Sequence, residues 1–382
     1  MEFKWNQDCK HFPGVWPCDI LKSEGYKSCE ECNFYEPSSK RVLIIKLGAM
    51  GDVLRTIPLI KSIKKKYGEK INITWLVNPE SADLLKDYYY IDRVLIYSLD
   101  NILRLSVEEF DILFSFEINV PGTIISSMIK AKKKFGYYLD KNGHPTTFNK
   151  KAEYYLEKAW SDHLNKNNRK TYQELMFEVA ELELTKEPYL IKSKEDNYAK
   201  EFMQKIKITK TDKIIGINIG SAGRWPSKAW HEDKIVELVK KLNEMDYKTI
   251  LLGGPEEIDK IERIANKLKQ IDISIIKNNQ DNTINQFISI VNLCDIIITG
   301  DTLALHIAIG LNKKTIALFF CTPPWEIEGY GFAYKIISPL LEKYFFTDEY
   351  IEELVKSIST DEVVDIISKI NKDSWKRVES TK

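Results

Sequence analysis

One stretch, Arg41-Val-Leu-Ile-Ile-Lys-Leu-Gly-Ala-Met-Gly-Asp-Val-Leu-Arg-Thr-Ile-Pro58, limits this chain to a narrow set of folds. Val42 to Ile45 is a short apolar run rich in β-branched residues, the pattern of a parallel strand buried on both faces. Gly48 and Gly51 allow a sharp turn and a close backbone approach to a ligand. Asp52 then enters a helix. Strand, glycine turn and helix in that order form the βα unit of an open α/β sheet, whose strand carboxyl ends bind ligands. No Gly-Lys-Ser/Thr follows the glycines, so the loop is not a P-loop. Two glycines at this spacing do not make a dinucleotide fingerprint either. Asp52 is thus either a helix N-cap or a carboxylate of an active-site loop.

The same alternation continues along the chain. Strands are expected at 41–47, 71–77, 93–97, 112–116 and 134–138, with helices at 53–67 and 81–88 between them. Residues 145–184 read as helical and 192–213 as a charged helix. A second series follows, with strands at 213–218, 248–252, 273–276, 295–298 and 315–319. Helical patterns fall at 227–245, 257–270, 283–292 and 304–310, and one or two amphipathic helices run from 348 to the end. A chain of 382 residues is too long for one ordinary core. The organisation expected is a cysteine-rich segment (1–40), two Rossmann-like α/β domains (41–205 and 206–340) facing a central cleft, and C-terminal helices (341–382).

Lys+Arg and Asp+Glu both total 56, which leaves no surplus of positive charge for nucleic acid. The polar N-terminus has no signal-peptide core. No apolar run approaches the roughly 20 residues of a spanning helix. A cytoplasmic protein is expected, with the inner membrane surface open to it through basic runs at 64–66 and 130–134.

Cys9, Cys18, Cys29 and Cys32 lie in a stretch rich in Pro, Gly, Trp and Tyr. Four thiols in so short a segment, two of them as C-x-x-C, suggest a tetrahedral metal site that supplies the segment's folding energy. Structural zinc, an iron–sulfur cluster, and disulfides or free thiols are the alternatives, with His11 as a substitute ligand. Cys294 and Cys321 sit in apolar surroundings and read as core.

Four loops of the second half stand at strand carboxyl ends. Gly220-Ser-Ala-Gly-Arg-Trp-Pro-Ser-Lys-Ala-Trp230 offers backbone amides, the Ser221 hydroxyl and the Lys228 ammonium, a set suited to a diphosphate. Gly253-Gly-Pro-Glu-Glu257 places a carboxylate where a ribose or base would lie. Gly300-Asp301-Thr302 enters a helix that carries His306. The aromatic stretch from Phe320 through Thr322 to Gly331 closes the set. Asp301 and Ser221 could equally be plain N-caps, His306 a packed histidine and Lys228 a solvated side chain.

In this order, Lys46-Leu-Gly-Ala-Met-Gly-Asp52, Gly220-Ser…Lys228-Ala-Trp230, Gly253-Gly-Pro-Glu-Glu257 and Gly300-Asp-Thr…His306 resemble glycosyltransferase family 9, the heptosyltransferase-like enzymes of lipopolysaccharide cores. The resemblance runs from Arg41 to the C-terminal helices and leaves out the cysteine segment. It implies the GT-B fold and inverting transfer of a heptose or similar sugar from a nucleotide-diphosphate sugar to a lipid-linked or surface-glycan acceptor. No cofactor is implied for the chemistry. Asp52 matches the family's general base, while Ser221 and Lys228 match residues that hold the donor diphosphate. Asp301 and Thr302, with Gly300, match the donor loop, and Glu257 a carboxylate near the nucleoside. His306 falls on a histidine of the same helix. The family's Gly-Pro-Thr is here Phe320-Cys321-Thr322, and Leu303 stands where glycine follows Asp-Thr. Competing readings are a nucleotide-sugar epimerase or hydrolase of the same fold, and an inactive, metal-stapled binding module.

Overall fold

A computed structural model describes residues 5–12, 14, 16–86, 88–209, 211–221, 223 and 225–379, with side chains of the last helix only to 371. The chain divides into two compact units. The first holds the residues up to 165 together with 172–185, and the second holds 166–171 and everything from 186 on.

In the first unit, β1 (Lys40–Ile45), β2 (Ile71–Val77), β3 (Arg93–Ile96), β4 (Glu109–Ser115), β5 (Lys130–Leu139) and β6 (Pro145–Thr147) form one sheet in the order β3-β2-β1-β4-β5-β6. All pairs are parallel except β5 with β6. Val42 to Ile45 are fully buried, as a central strand with helices on both faces requires. Leu43, Ile45, Leu76 and Leu113 pack with Leu105, Ile125 and Ile129 of two helices, Leu99–Val107 and Val120–Met128. Each such side chain contributes roughly 1.5–3 kcal/mol by leaving water.

The second unit repeats the plan. Its strands are β7 (Ile214–Asn218), β8 (Lys248–Leu252), β9 (Ile276–Lys277), β10 (Ile296–Gly300), β11 (Lys314–Phe319) and β12 (Ala333–Ile337). They are all parallel, in the order β12-β11-β10-β7-β8-β9. Both sheets therefore start at an inner strand, wind outward, and return to the other side of it. The reversal falls between β1 and β4 in one unit and between β7 and β10 in the other, where a doubly wound sheet opens its ligand crevice.

Several elements differ from the sequence expectation. The helix expected at 53–67 is two helices, Met50–Thr56 and Leu59–Tyr67, because Pro58 has no N–H to continue the ladder. Residues 145–184 open with β6 before the helices Glu153–Trp160, Asp162–Asn167 and Tyr172–Val179. The strand expected at 273–276 shrinks to Ile276–Lys277, and β12 was not anticipated. Lys64, in the basic run at 64–66, is 5% exposed and donates to the Glu69 carbonyl. Among the described residues no helix is long and apolar enough to cross a membrane.

Candidate active site

The loop after β1 does not turn through left-handed glycine. Neither Gly48 nor Gly51 has positive φ, and Gly51 lies inside the helix Met50–Thr56. Ala49 occupies that helix's N-cap position, so Asp52 stands in the first turn and its side chain does not cap. It is paired instead with two cations. Arg55 Nη2 meets Asp52 Oδ1 one turn on, and Lys46 Nζ stands 3.7 Å from Oδ2. The Arg55 guanidinium lies 4.1 Å from the centre of the Tyr172 ring, a cation–π contact that fixes it.

Behind this pair is a carboxylate that follows β4. Glu117 is 4% exposed, pairs with Lys46 Nζ at 3.1 Å, and accepts from the Leu47 and Gly48 amides at 2.6 and 3.2 Å. Asn119 Nδ2 donates to its second oxygen at 2.8 Å. Burial by itself pulls the Lys46 ammonium down, but the charges of Glu117 and Asp52 more than offset it and hold it above the usual lysine value. Burial, helped by the Asp52 charge, pushes the Tyr172 hydroxyl well above the ordinary tyrosine range. Asp52 itself keeps 31% of its side-chain surface open. A largely buried layer of paired charges thus supports one carboxylate that still faces outward.

In the second unit the loops after β7 and β10 meet. Lys228 Nζ pairs with Asp301 Oδ2 at 3.1 Å, both side chains 17% exposed. Asn218 Nδ2 donates to the Thr299 and Thr302 hydroxyls at 3.2 Å and to the Gly220 carbonyl at 3.0 Å. The helix Leu303–Gly310 takes Thr302, not Asp301, at its N-cap position, and no side chain caps it. Gly300 is required by packing, since a Cβ there would lie 2.2 Å from the Lys228 carbonyl oxygen. His306 is 5% exposed, with Nε2 4.0 Å from Asp301 Oδ1. Glu257 accepts from the Gly254 amide at 2.9 Å and lies against Gly220. Ser221 is half-buried, and its neighbours Ala222 and Arg224 lie outside the described residues. Thr322, expected on a cleft loop, is only 4% exposed, because β11 carries the chain inward through buried Phe320 and Cys321.

A family model described as glycosyltransferase family 9 (heptosyltransferase) matches residues 101–348. The chain belongs to glycosyltransferase family 9. It is 25% identical over 345 residues to lipopolysaccharide heptosyltransferase 1 of Campylobacter coli, which covers 86% of this chain and 97% of the relative. In structure it is similar to a family 9 glycosyl transferase from Veillonella parvula, with TM-score 0.70, 19% identity, and 87% and 98% of the two chains covered. A second similar structure is the E. coli ADP-heptose lipopolysaccharide heptosyltransferase II, with TM-score 0.62, 16% identity, and 86% and 98% coverage. The fold class is accordingly GT-B, two Rossmann-like α/β units, and the protein is a glycosyltransferase.

For this family 9 enzyme, sequence reasoning missed Glu117, Arg55, Tyr172 and Lys260. Lys260 is half-buried in the helix Ile258–Lys269 and donates to the Ile219 and Trp230 carbonyls at 3.0 Å each, tying the two ends of the candidate diphosphate loop. Burial lowers its ammonium to about 8. Its only signal in the sequence is a lysine on the apolar face of an amphipathic helix.

The N-terminal cysteines come together in the first unit. All four N-terminal thiols are free, and with His11 they line one cavity of about 20 Å³. Among the described residues, however, no three His, Cys, Asp or Glu side chains are set to hold a metal ion, Cys9, Cys18, Cys29 and Cys32 included. Cys29 opens a 3₁₀ turn that ends at Cys32, Cys9 is held in a bridge with Pro37, and His11 Nε2 faces Glu36 at 3.5 Å. These local bonds bring the thiols to a shared cavity.

Proposed function

We propose that the protein transfers a heptose or similar sugar from a nucleoside-diphosphate sugar, with inversion, to a lipopolysaccharide-type or other lipid-linked or surface-glycan acceptor. Asp52 takes the proton as the acceptor hydroxyl oxygen attacks the anomeric carbon. The bond from that carbon to the diphosphate breaks, and its electrons leave with the nucleoside diphosphate. Lys228, Ser221 and the amides of the Gly220 and Gly300–Thr302 loops hold the diphosphate and offset its growing charge, and Glu257 lies toward the nucleoside. The first unit is then the acceptor domain and the second the donor domain. The observation that carries this reading is Asp52 itself. It is released from helix capping, paired with Lys46 and Arg55, and still open at the edge where the first sheet reverses. The lipopolysaccharide heptosyltransferase among its relatives supports the sugar and acceptor class.

A thermal-shift panel with ADP, GDP, UDP, CMP and dTDP tests it, because a ligand that binds only the folded state raises the midpoint. Stabilisation by ADP, followed by transfer from ADP-heptose with inverted anomeric configuration in the product, is expected. No shift with any diphosphate, or a retained configuration, would overturn the reading.

We also propose a structural metal, zinc or iron, at the cysteine segment. Three observations support it. The four thiols share one cavity. The Phe34 amide donates to Cys32 Sγ at 3.4 Å. Among the described residues from 5 to 37 only Cys18 and Leu21 are buried, too little core to order the segment alone. Elemental analysis of protein purified without chelators should find about one metal per chain, lost on replacing Cys29 and Cys32 by serine. Metal-free wild-type protein would sink the proposal.

A further inference from the structure

The helices Leu99–Val107 and Val120–Met128 bury one side each against the first sheet, through Leu105, Ile125 and the C-cap residue Ile129. Their opposite sides are also apolar. Leu99, Leu103 and Val107 are 71, 54 and 72% exposed, and Val120, Ile124 and Met128 are 53, 42 and 44% exposed. Both triplets follow i, i+4, i+8 spacing, which draws a stripe along each helix. The two helices also pack against each other. These six are nearly a third of the twenty large apolar side chains that stand exposed among the described residues, so the surface is a patch and not scatter. Neither helix is frayed at its start. Ser98 Oγ accepts from the Asn101 amide at 3.3 Å, and Asn119 Oδ1 from the Gly122 amide at 2.8 Å.

We propose that this two-helix face docks on an anionic lipid bilayer. A stripe parallel to the helix axis suits a helix lying in the plane of the bilayer interface, with its apolar side turned to the acyl chains. Charge selects the kind of surface. From Ile118 to Leu139 the chain carries four lysines and no carboxylate. Three of them, Lys130, Lys132 and Lys133, are exposed on β5, which begins two residues after Met128, with Lys132 paired to Asp111 of β4 at 2.8 Å. At the end of the first helix Glu108 is neutralised by Arg41, Arg93 and Arg104, and Glu109 stands opposite Lys130 in the ladder. Lysines beside an apolar stripe are drawn to anionic headgroups and not to neutral ones.

The stripe also has a direction. Leu99 and Val120 start their helices at the strand carboxyl ends, and Asn119, just before Val120, donates to the Glu117 carboxylate that supports the Gly48 loop. A docked bilayer would therefore lie next to the acceptor edge of the first unit. This last step rests on the acceptor reading above; the docking itself does not.

Flotation of the whole chain with phosphatidylcholine vesicles, alone or containing phosphatidylglycerol, tests the proposal in the absence of any nucleotide. The wild type should bind the anionic vesicles at least about tenfold better than the neutral ones, and high salt should weaken the binding. Leu103→Glu/Ile124→Glu should lose at least about tenfold of that binding. Lys130→Glu/Lys133→Glu should lose the preference for anionic lipid. All four positions are exposed, so unchanged circular dichroism and thermal midpoint verify the fold. A wild type that does not float, or a Leu103→Glu/Ile124→Glu variant that floats as well, would overturn the proposal. So would a wild-type dimer that this variant turns into a monomer, since the face would then belong to a second copy. Turnover on a water-soluble acceptor should be unchanged in both variants. Protein that floats as expected but transfers no sugar would overturn the functional reading and leave the docking surface standing.

Discussion

Asp52 and Glu117 show how two carboxylates near one lysine divide the work. Glu117 spends its oxygens on two backbone amides, Asn119 and Lys46, and is buried. Asp52 keeps an open side. Asp52→Asn should therefore lower transfer at least about a hundredfold, as expected for loss of a general base, with nucleotide affinity and stability nearly unchanged. Lys46→Met should act in the opposite way. It strands Glu117 without its cation, which costs about 3–5 kcal/mol when a buried pair loses one partner. Denaturant midpoints beside kinetic constants separate the two cases. If Asp52→Asn destabilises as much as Lys46→Met, both are structural. Asp52 was legible in the sequence because it shares a local motif with Gly48 and Gly51. Glu117 was not, since only the placement of β4 beside β1 brings a residue 70 positions away to the Leu47 amide.

At the scale of elements, central strands were easiest to read. β1, β7 and β10 are short apolar runs, and burial on both faces leaves them no alternative. Edges and charged segments were harder. β9 pairs only through Ile250 and Leu251 of β8, so little beyond the turn before it fixes its register. β5 begins as Lys130-Ala-Lys-Lys-Lys134, which reads as a solvated charge run; its backbone pairing with β4 makes it a strand from Lys130 onward. The donor-side loops were found because each follows a β-branched strand and carries glycine. What binds them together was hidden. Lys228 to Asp301 and Lys260 to the carbonyls of Ile219 and Trp230 are long-range contacts that no spacing records. The outward stripes at Leu99–Val107 and Val120–Met128 were hidden for a different reason. Neither helix was read from the sequence, so the facing of its apolar residues could not be weighed.

At the scale of the whole molecule, one half-buried ionisable group in each unit should mark the pH dependence of stability. In the first unit, burial alone would raise the Glu108 carboxyl. Hydrogen bonds from Arg93 and Arg104 and the charge of Arg41 more than offset it and hold it at about 2, below its ordinary 4.5. Its contribution is present above about pH 4.5 and fades as pH falls toward 2, where the folded state must also protonate it. In the second unit, burial lowers the Lys260 ammonium from 10.5 to about 8. Below about pH 8 both states are protonated and folding bears the full cost of burying the charge, roughly 3 kcal/mol before solvent screening reduces it. Between about 8 and 10.5 the unfolded chain binds more protons than the folded one, so stability gained from this site rises with pH. Wild type compared with Glu108→Gln should show an advantage at about pH 5 that shrinks by about pH 3. Compared with Lys260→Met, the wild type should instead improve from about pH 7.5 to about pH 9.5. Denaturant midpoints across that range read both effects, and using each variant as the reference cancels the titration of the remaining lysines and tyrosines. A Lys260→Met difference that stays constant with pH would mean that the lysine is solvated in solution, and that the carbonyls of Ile219 and Trp230 are not what holds the candidate diphosphate loop.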